Sequence, residues 1–445
     1  MSQPSHTLNA EPVQYTLMTR VFGFKDSPLM KRKVEISARD LTAAVEKVFL
    51  NAAAASAAIE RSCVVEKAAS FVTFSANPGQ MKRWELSADI RVITPDLPGQ
   101  PGAVEANFQS LTRDFGACVA IPLFYGQDFL DRCPRILDDL WKFDNDLFPL
   151  MMIGVPPWVP LKVVKEGVAA RSRLHAELAA LYRRIDQHKR GEPVDFGADM
   201  SDISIVAMER TRVYERDGWS FPERGACELG AFWGQNANTQ PMLFWFLTFV
   251  YSTPGLLEEI RKEMAPHIKW SHASSSPEIV SIDMAALYSD CQLMKACIFE
   301  SYRLANEATS IRYVVRPITI DDGGYKHTLK PGTFVSAAHA LTQRDPHVYA
   351  DPDKFVPDRF LETDSASGKP VARYGRLRPW GAGAAMCKGR TFAERELMAL
   401  GAAIMSSWDI EPAGGAPWKL PAMVPGTGVK KPVKDIRVLI RRRVL

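Results

Sequence analysis

The chain has 445 residues, 46% of them hydrophobic and 24% charged, with a formal net charge of +4. That composition suits a globular protein with one large core or a few small ones, and the mild charge, without a long like-charge block, argues against a nucleic-acid partner. The seven cysteines are scattered and form no CxxC pair, so they indicate neither a disulfide framework nor a cysteine zinc site and fit a reducing compartment.

Residues 1–21 are polar, lack a signal-peptide core and read as an N-terminal extension. Segment 40–62 is alanine-rich with few breakers, which favours helix. "DLPGQPG" (96–102) marks a loop. Helical apolar spacing follows over 104–124 and 169–190. Between them, 148–161 is apolar and proline-broken; it is a buried loop or a surface that dips into a membrane. Long apolar helices are expected over 225–253 and 282–304. The texture then changes: 309–320 and 326–341 are β-rich and turn-punctuated, and 345–360 is an irregular stretch rich in aspartate and proline. A last helix (391–408) and an alternating tail (434–443) complete the chain. The strongest apolar run, 241–251, is too short for a bilayer, which takes ~20 residues. One mainly helical domain over 1–445 with a small β portion is expected.

"PWGAGAAMCKGR" (379–390) carries the chemistry. Gly381, Gly383 and Gly389 surround Cys387 and let backbone approach a flat ligand closely. A helix starts just after the cysteine, where unpaired N–H groups favour a thiolate. Trp380, Gly383, Cys387 and Gly389 fit aromatic-x-x-G-x-x-x-C-x-G. This resembles the haem-binding loop of the cytochrome P-450 family, with tryptophan in the usual phenylalanine place. The resemblance implies the P-450 fold, haem b as cofactor, and Cys387 as axial iron ligand.

The family also carries E-x-x-R. The pattern occurs three times, but only Glu300/Arg303 precedes a β-rich stretch at the family's distance from the cysteine. "PDRF" supplies Arg359 as third member, and the inferred role of the three is to hold the core behind the haem. Arg312 sits where relatives place an arginine on a haem propionate; the alternative is an exposed strand arginine. Ala385 stands where some relatives have a basic residue, and the family's W-x-x-x-R contact is missing, since the surroundings of Trp84 differ.

"AFWGQNANTQPMLFW" (231–245) resembles the family's distal helix. Ala237 takes the place of the usual acid and Asn238 that of the threonine; Thr239 follows. Pro241 cannot donate to the carbonyl of Ala237, so a free carbonyl and an amide are expected over the iron, holding a water or a substrate oxygen. This stretch and the cysteine loop look like the cholesterol 7α-hydroxylase and prostacyclin synthase branch, whose substrates are large lipids, and the overall texture suggests a fungal member. A substrate face of Phe232, Trp233, Asn238, Val314 and Met423 is expected by resemblance, with plain core as the alternative.

Compared with an anchored member, the chain looks short at its start, without anchor or first β-strands. The strands around "HTLKPGTFVSA" should then show an open edge, and membrane association should be peripheral, on the endoplasmic reticulum, if the protein is not cytoplasmic. Three functions remain open. A monooxygenase would use O₂ and electrons from an NADPH-dependent reductase, docked on Lys369, Arg373, Arg376, Arg378, Lys388, Arg390 and Arg395 unless these are only solubilising charges. An isomerase or dehydratase would rearrange a peroxide without external electrons. A haem-binding protein would do neither.

Overall fold

A computed structural model describes residues 1, 3–94, 102–271 and 277–444. Residues 96–101 of the expected loop lie outside them. The architecture is mainly helical, with small antiparallel sheets at its margins. Its centre is the apolar helix Thr239–Ser252, buried on every face from Thr239 to Val250. Phe108–Tyr125, Gln292–Ala305 and Arg390–Ser407 pack around it. The helix Lys162–Lys189 lies along Phe221–Asn236 and closes the far side.

Several expected helices are broken, each for a local reason. Segment 40–62 divides into Pro28–Phe49 and Ala52–Arg61 because Asn51 is extended and caps the second helix through the Ala54 amide, at 2.9 Å. Segment 104–124 gives up its first residues to a strand, Ala103–Asn107, which pairs with Arg91–Ile93 on one side and Arg437–Arg442 on the other; two ladders outweigh helix propensity there. Segment 282–304 becomes Met284–Asp290 and Gln292–Ala305, interrupted at Cys291.

Residues 1–21 are not a detached extension. Leu8–Asn9 pairs with the strand Thr309–Val314, and the helix Glu11–Arg20 follows. The chain then enters the core: Val21 and Phe22 are buried, Arg171 donates to the Val21 carbonyl at 2.8 Å, and His175 Nε2 lies 2.8 Å from that of Phe22. Burial and the neighbouring Arg171 depress the His175 pKa to about 4, so the ring is neutral at pH 7. The sequence hid this because the helix buries no residue fully.

In the three-stranded sheet Thr309–Val314 is central, between Leu8–Asn9 and Phe334–Ala338. The outer edge of Phe334–Ala338 meets no strand among the described residues and Phe334 is 56% exposed, the open edge expected. Segment 148–161 divides: Phe148 and Met151 are buried, whereas Ile153 and Trp158 are each 78% exposed. No helix among the described residues is long and apolar enough to cross a membrane.

Candidate functional site

A cavity of about 530 Å³ lies between the cysteine loop, the strand Thr309–Val314, the Glu11–Arg20 helix and the distal helix pair. Cys387 forms part of its wall. Cys387 is exposed where it lines the cavity, while protein packs closely around the rest of the side chain. That enclosure raises the thiol pKa, and the amides of Gly389 and Arg390 with the charges of Arg390 and Lys388 only partly offset it. The following helix therefore does not by itself make a thiolate; a metal ion at the sulfur would.

The loop is shaped by two glycines in left-handed conformation, Gly381 (φ +75°) and Gly383 (φ +71°). Gly389 has φ −92° and leaves space beside the sulfur instead: a Cβ there would stand 4.0 Å from Sγ. The Cys387 amide donates to the Trp380 carbonyl at 3.0 Å, which folds the loop back on itself. Trp380 lines the cavity.

Glu300 and Arg303 are fully buried and bidentate, at 2.7 Å on both oxygens. Arg359 joins at 3.1 Å. Arg303 also donates to the carbonyls of Gln343, Pro352 and Lys354, so both charges are paired and satisfied, as burial demands. The Glu209/Arg212 pair is exposed, and in the Glu258/Arg261 pair the arginine is buried but the acid is exposed. Arg312 is buried rather than exposed; it donates to the Ile311 and Ala382 carbonyls at 2.8 and 2.6 Å and lines the cavity.

The distal helix is two helices, Phe221–Asn236 and Thr239–Ser252, joined at Ala237–Asn238. Pro241 lies in the first turn of the second, and its missing N–H explains the break. Ala231, Gly234, Gln235, Asn238 and Thr239 face the cavity, a helical stripe. Phe232 and Trp233 fall on other faces: Phe232 packs against Tyr125, and Trp233 stacks on Phe148 and donates to Asp144 at 2.8 Å. Val314 is core, and Met423 Sδ lies 3.8 Å from an Arg344 nitrogen. None of these four, nor Ala237, lines the cavity. Asn238 does, and its Oδ1 is buried without a hydrogen-bond partner. Gly428, at φ +144°, presses against it; a Cβ there would come within 2.3 Å of that oxygen.

A cytochrome P450 family model matches residues 138–438. The chain belongs to the cytochrome P450 family. Relatives include a cytochrome P450 monooxygenase of Gibberella zeae, 27% identical over 72% of this chain and 59% of that protein. The Penicillium oxalicum cytochrome P450 monooxygenase poxD is 26% identical over 79% of this chain and 68% of its own length. The 25-hydroxycholesterol 7-alpha-hydroxylase of Rattus norvegicus is 26% identical over 68% of this chain and 70% of its own. The chain thus spans roughly six-tenths to seven-tenths of these relatives, which include the sterol-hydroxylase kind suggested by the loop and distal helix and the fungal kind suggested by the overall texture.

The haem of P450 proteins fits the residues present. Among the described residues no group of three or more His, Cys, Asp or Glu side chains could hold a bare metal ion. Iron bound here would have one protein ligand, Cys387, with a macrocycle supplying the others. Among the described residues Arg312 is the only one lining the cavity that carries a fixed charge, and it is a cation suited to a carboxylate.

Sequence reasoning missed most of this wall. Val13, Gln14 and Leu17 come from the supposed extension, and Phe49 and Phe124 from helices with no motif. It also missed Glu396. This carboxyl is 2% exposed, its Oε1 receives one long hydrogen bond (3.4 Å) from Gln240, and Oε2 has none. Burial pushes its pKa up to about 8. Of the seven cations around the loop, Lys388 pairs with Glu46 at 2.6 Å, Arg373 reaches Glu362 and Asp364, and Arg395 stacks on Tyr288. Lys369 and Arg376 are exposed and remain the freest.

Proposed function

We propose that the protein is a haem-b monooxygenase acting on a lipophilic substrate that carries an oxygen, a sterol, terpenoid or other secondary metabolite. The observation behind this is a thiol and an amide side chain lining one largely apolar cavity: Cys387 from the glycine loop and Asn238 from the helix break. Bound haem supplies oxygen activation, with the Cys387 thiolate pushing electron density to iron. The chain does the rest. Val13, Leu17, Phe49 and Phe124 give the substrate an apolar wall and exclude water. Asn238 fixes the substrate's oxygen through its amide. Thr239, the hydroxyl next in sequence, passes protons inward, since no carboxylate lines the cavity among the described residues.

Electrons would come from an NADPH-dependent reductase docked near the exposed Lys369 and Arg376. Peripheral contact with a membrane, such as the endoplasmic reticulum, is supported by exposed Ile153 and Trp158. The test has two steps. A reduced, carbon-monoxide-bound spectrum with a red-shifted Soret band is expected, and then incorporation of label from ¹⁸O₂ into product with reductase and NADPH. Turnover that proceeds unchanged without reductant would overturn the monooxygenase reading. It would favour a second one, rearrangement of a peroxide without external electrons, which the absent acid at Ala237 supports. Haem uptake with neither reaction would leave a haem-binding protein.

A further inference from the structure

A chain of redox-capable side chains runs from the cavity wall to a partly exposed tyrosine, Tyr288. Trp380 lines the cavity, and its indole N–H donates to the Tyr374 hydroxyl at 2.9 Å. Tyr374 in turn donates to one oxygen of Glu394, and Tyr288 donates to the other oxygen at 2.7 Å. The Tyr374 ring stacks on Phe299 with centroids 3.9 Å apart. At the outer end Tyr288 lies between two cations, Lys295 Nζ at 3.9 Å and the Arg395 guanidinium at 3.7 Å from its ring centroid.

The ordering is what matters. Indole and phenol rings can each lose one electron, and an oxidised phenol must shed its proton. Glu394 accepts from both phenols, one on each oxygen, so one carboxylate can take a proton from one tyrosine while returning one to the other. Packing alone would not require the tryptophan, the two tyrosines and the acid to be joined in this sequence.

We propose that Trp380, Tyr374, Glu394 and Tyr288 form a relay that drains oxidising equivalents from the site to a thiol in solution. This rests on the haem reading above. The oxidant is haem oxidised by hydrogen peroxide. In each passage Trp380 gives one electron to that haem. Tyr374 refills Trp380 and releases its proton to Glu394. Tyr288 then refills Tyr374: its proton goes to one oxygen of Glu394 as the other oxygen returns the first. A neutral Tyr288 radical is left, with one proton on Glu394. Tyr288 regains that proton and takes one electron from a thiol, whose own proton goes to solvent. Two passages convert one hydrogen peroxide and two thiols into two waters and one disulfide. Lys295 and Arg395 at the exit favour an anionic thiol, for which glutathione is the probe.

The experiment uses the haem-loaded full chain, Tyr288→Phe and Tyr374→Phe, each first shown to keep the reduced carbon-monoxide spectrum. Hydrogen peroxide is added without substrate. Rapid-freeze electron paramagnetic resonance follows the protein radical, and a spin trap located by mass spectrometry marks its site. The relay predicts a trap adduct at Tyr288, removed by glutathione. In Tyr288→Phe the adduct moves inward and peroxide bleaches the haem several-fold faster. In Tyr374→Phe the Tyr288 adduct is lost. Equal adducts and bleaching rates in all three proteins would overturn the relay while leaving the haem reading intact. Failure of the unaltered chain to bind haem would bring down both, and the first spectrum would show it.

Discussion

Replacing Glu396 by glutamine tests the buried carboxyl behind the distal helix. The group is 2% exposed, its pKa is pushed up to about 8 by burial, and Gln240 is its only hydrogen-bond partner among the described residues. A carboxyl raised in the folded state stabilises when protonated, and that contribution is fully present below its unfolded value near 4.5. It is lost as pH rises through the folded value of about 8, because across that window the native state binds the extra proton. The 3.5-unit difference sets a ceiling of about 5 kcal/mol, of which about 4 falls between pH 5 and pH 9. Glutamine carries no charge at any of these pH values, so the penalty disappears. The assay is urea unfolding of both proteins from pH 5 to pH 9. The gap between them should widen with pH, glutamine becoming the more stable, and flatten above pH 8. Other titrating groups cancel in the difference. Parallel stability curves would refute the reasoning and show that Glu396 ionises without cost, through water reaching its free oxygen.

Glu300→Ala leaves the Arg303 guanidinium buried without its carboxylate and should cost about 3–5 kcal/mol in chemical denaturation; a loss of turnover at full stability would contradict a holding role. Cys387→Ser should abolish the red-shifted carbon-monoxide Soret band, and retention of that band would remove the assigned ligand. Asn238→Ala should weaken substrate binding by roughly the worth of one hydrogen bond, about 0.5–1.5 kcal/mol, read as a rise in KM with little change in kcat; the reverse split would make Asn238 part of proton delivery. Gly428→Ala forces a Cβ toward Asn238 at a φ of +144° and should cost about 1–3 kcal/mol in stability, with altered substrate affinity. Unchanged stability and affinity would mean that this loop yields freely.

The cysteine loop was legible because its constraints are local. Two left-handed glycines, a thiol and an adjoining helix need particular residues at fixed spacing, and the structure forms them within twelve consecutive residues. The Glu300–Arg303–Arg359 group was legible only with the resemblance, since three E-x-x-R pairs look alike in sequence and burial alone separates them. The substrate face was misread for a reason of geometry. Phe232 and Trp233 are large lipophilic residues of the distal segment, yet the helix turns them into the core and gives the cavity Ala231, Gly234 and Gln235.

What the sequence determined by itself is the set of groups at one point: a thiol held at a helix start, an alanine and an asparagine where the resemblance leads one to expect an acid and an alcohol, and a proline that breaks the helix above. Each is a property of neighbouring residues, written in spacing and side-chain type. What the tertiary structure decided is what surrounds that point. A polar opening segment becomes a cavity wall because Leu8–Asn9 finds the edge of Thr309–Val314. Glu396 becomes a neutral acid because helices distant in sequence exclude water from it. Burial, pairing across hundreds of residues and the face that a helix presents are set by packing, which no local pattern records.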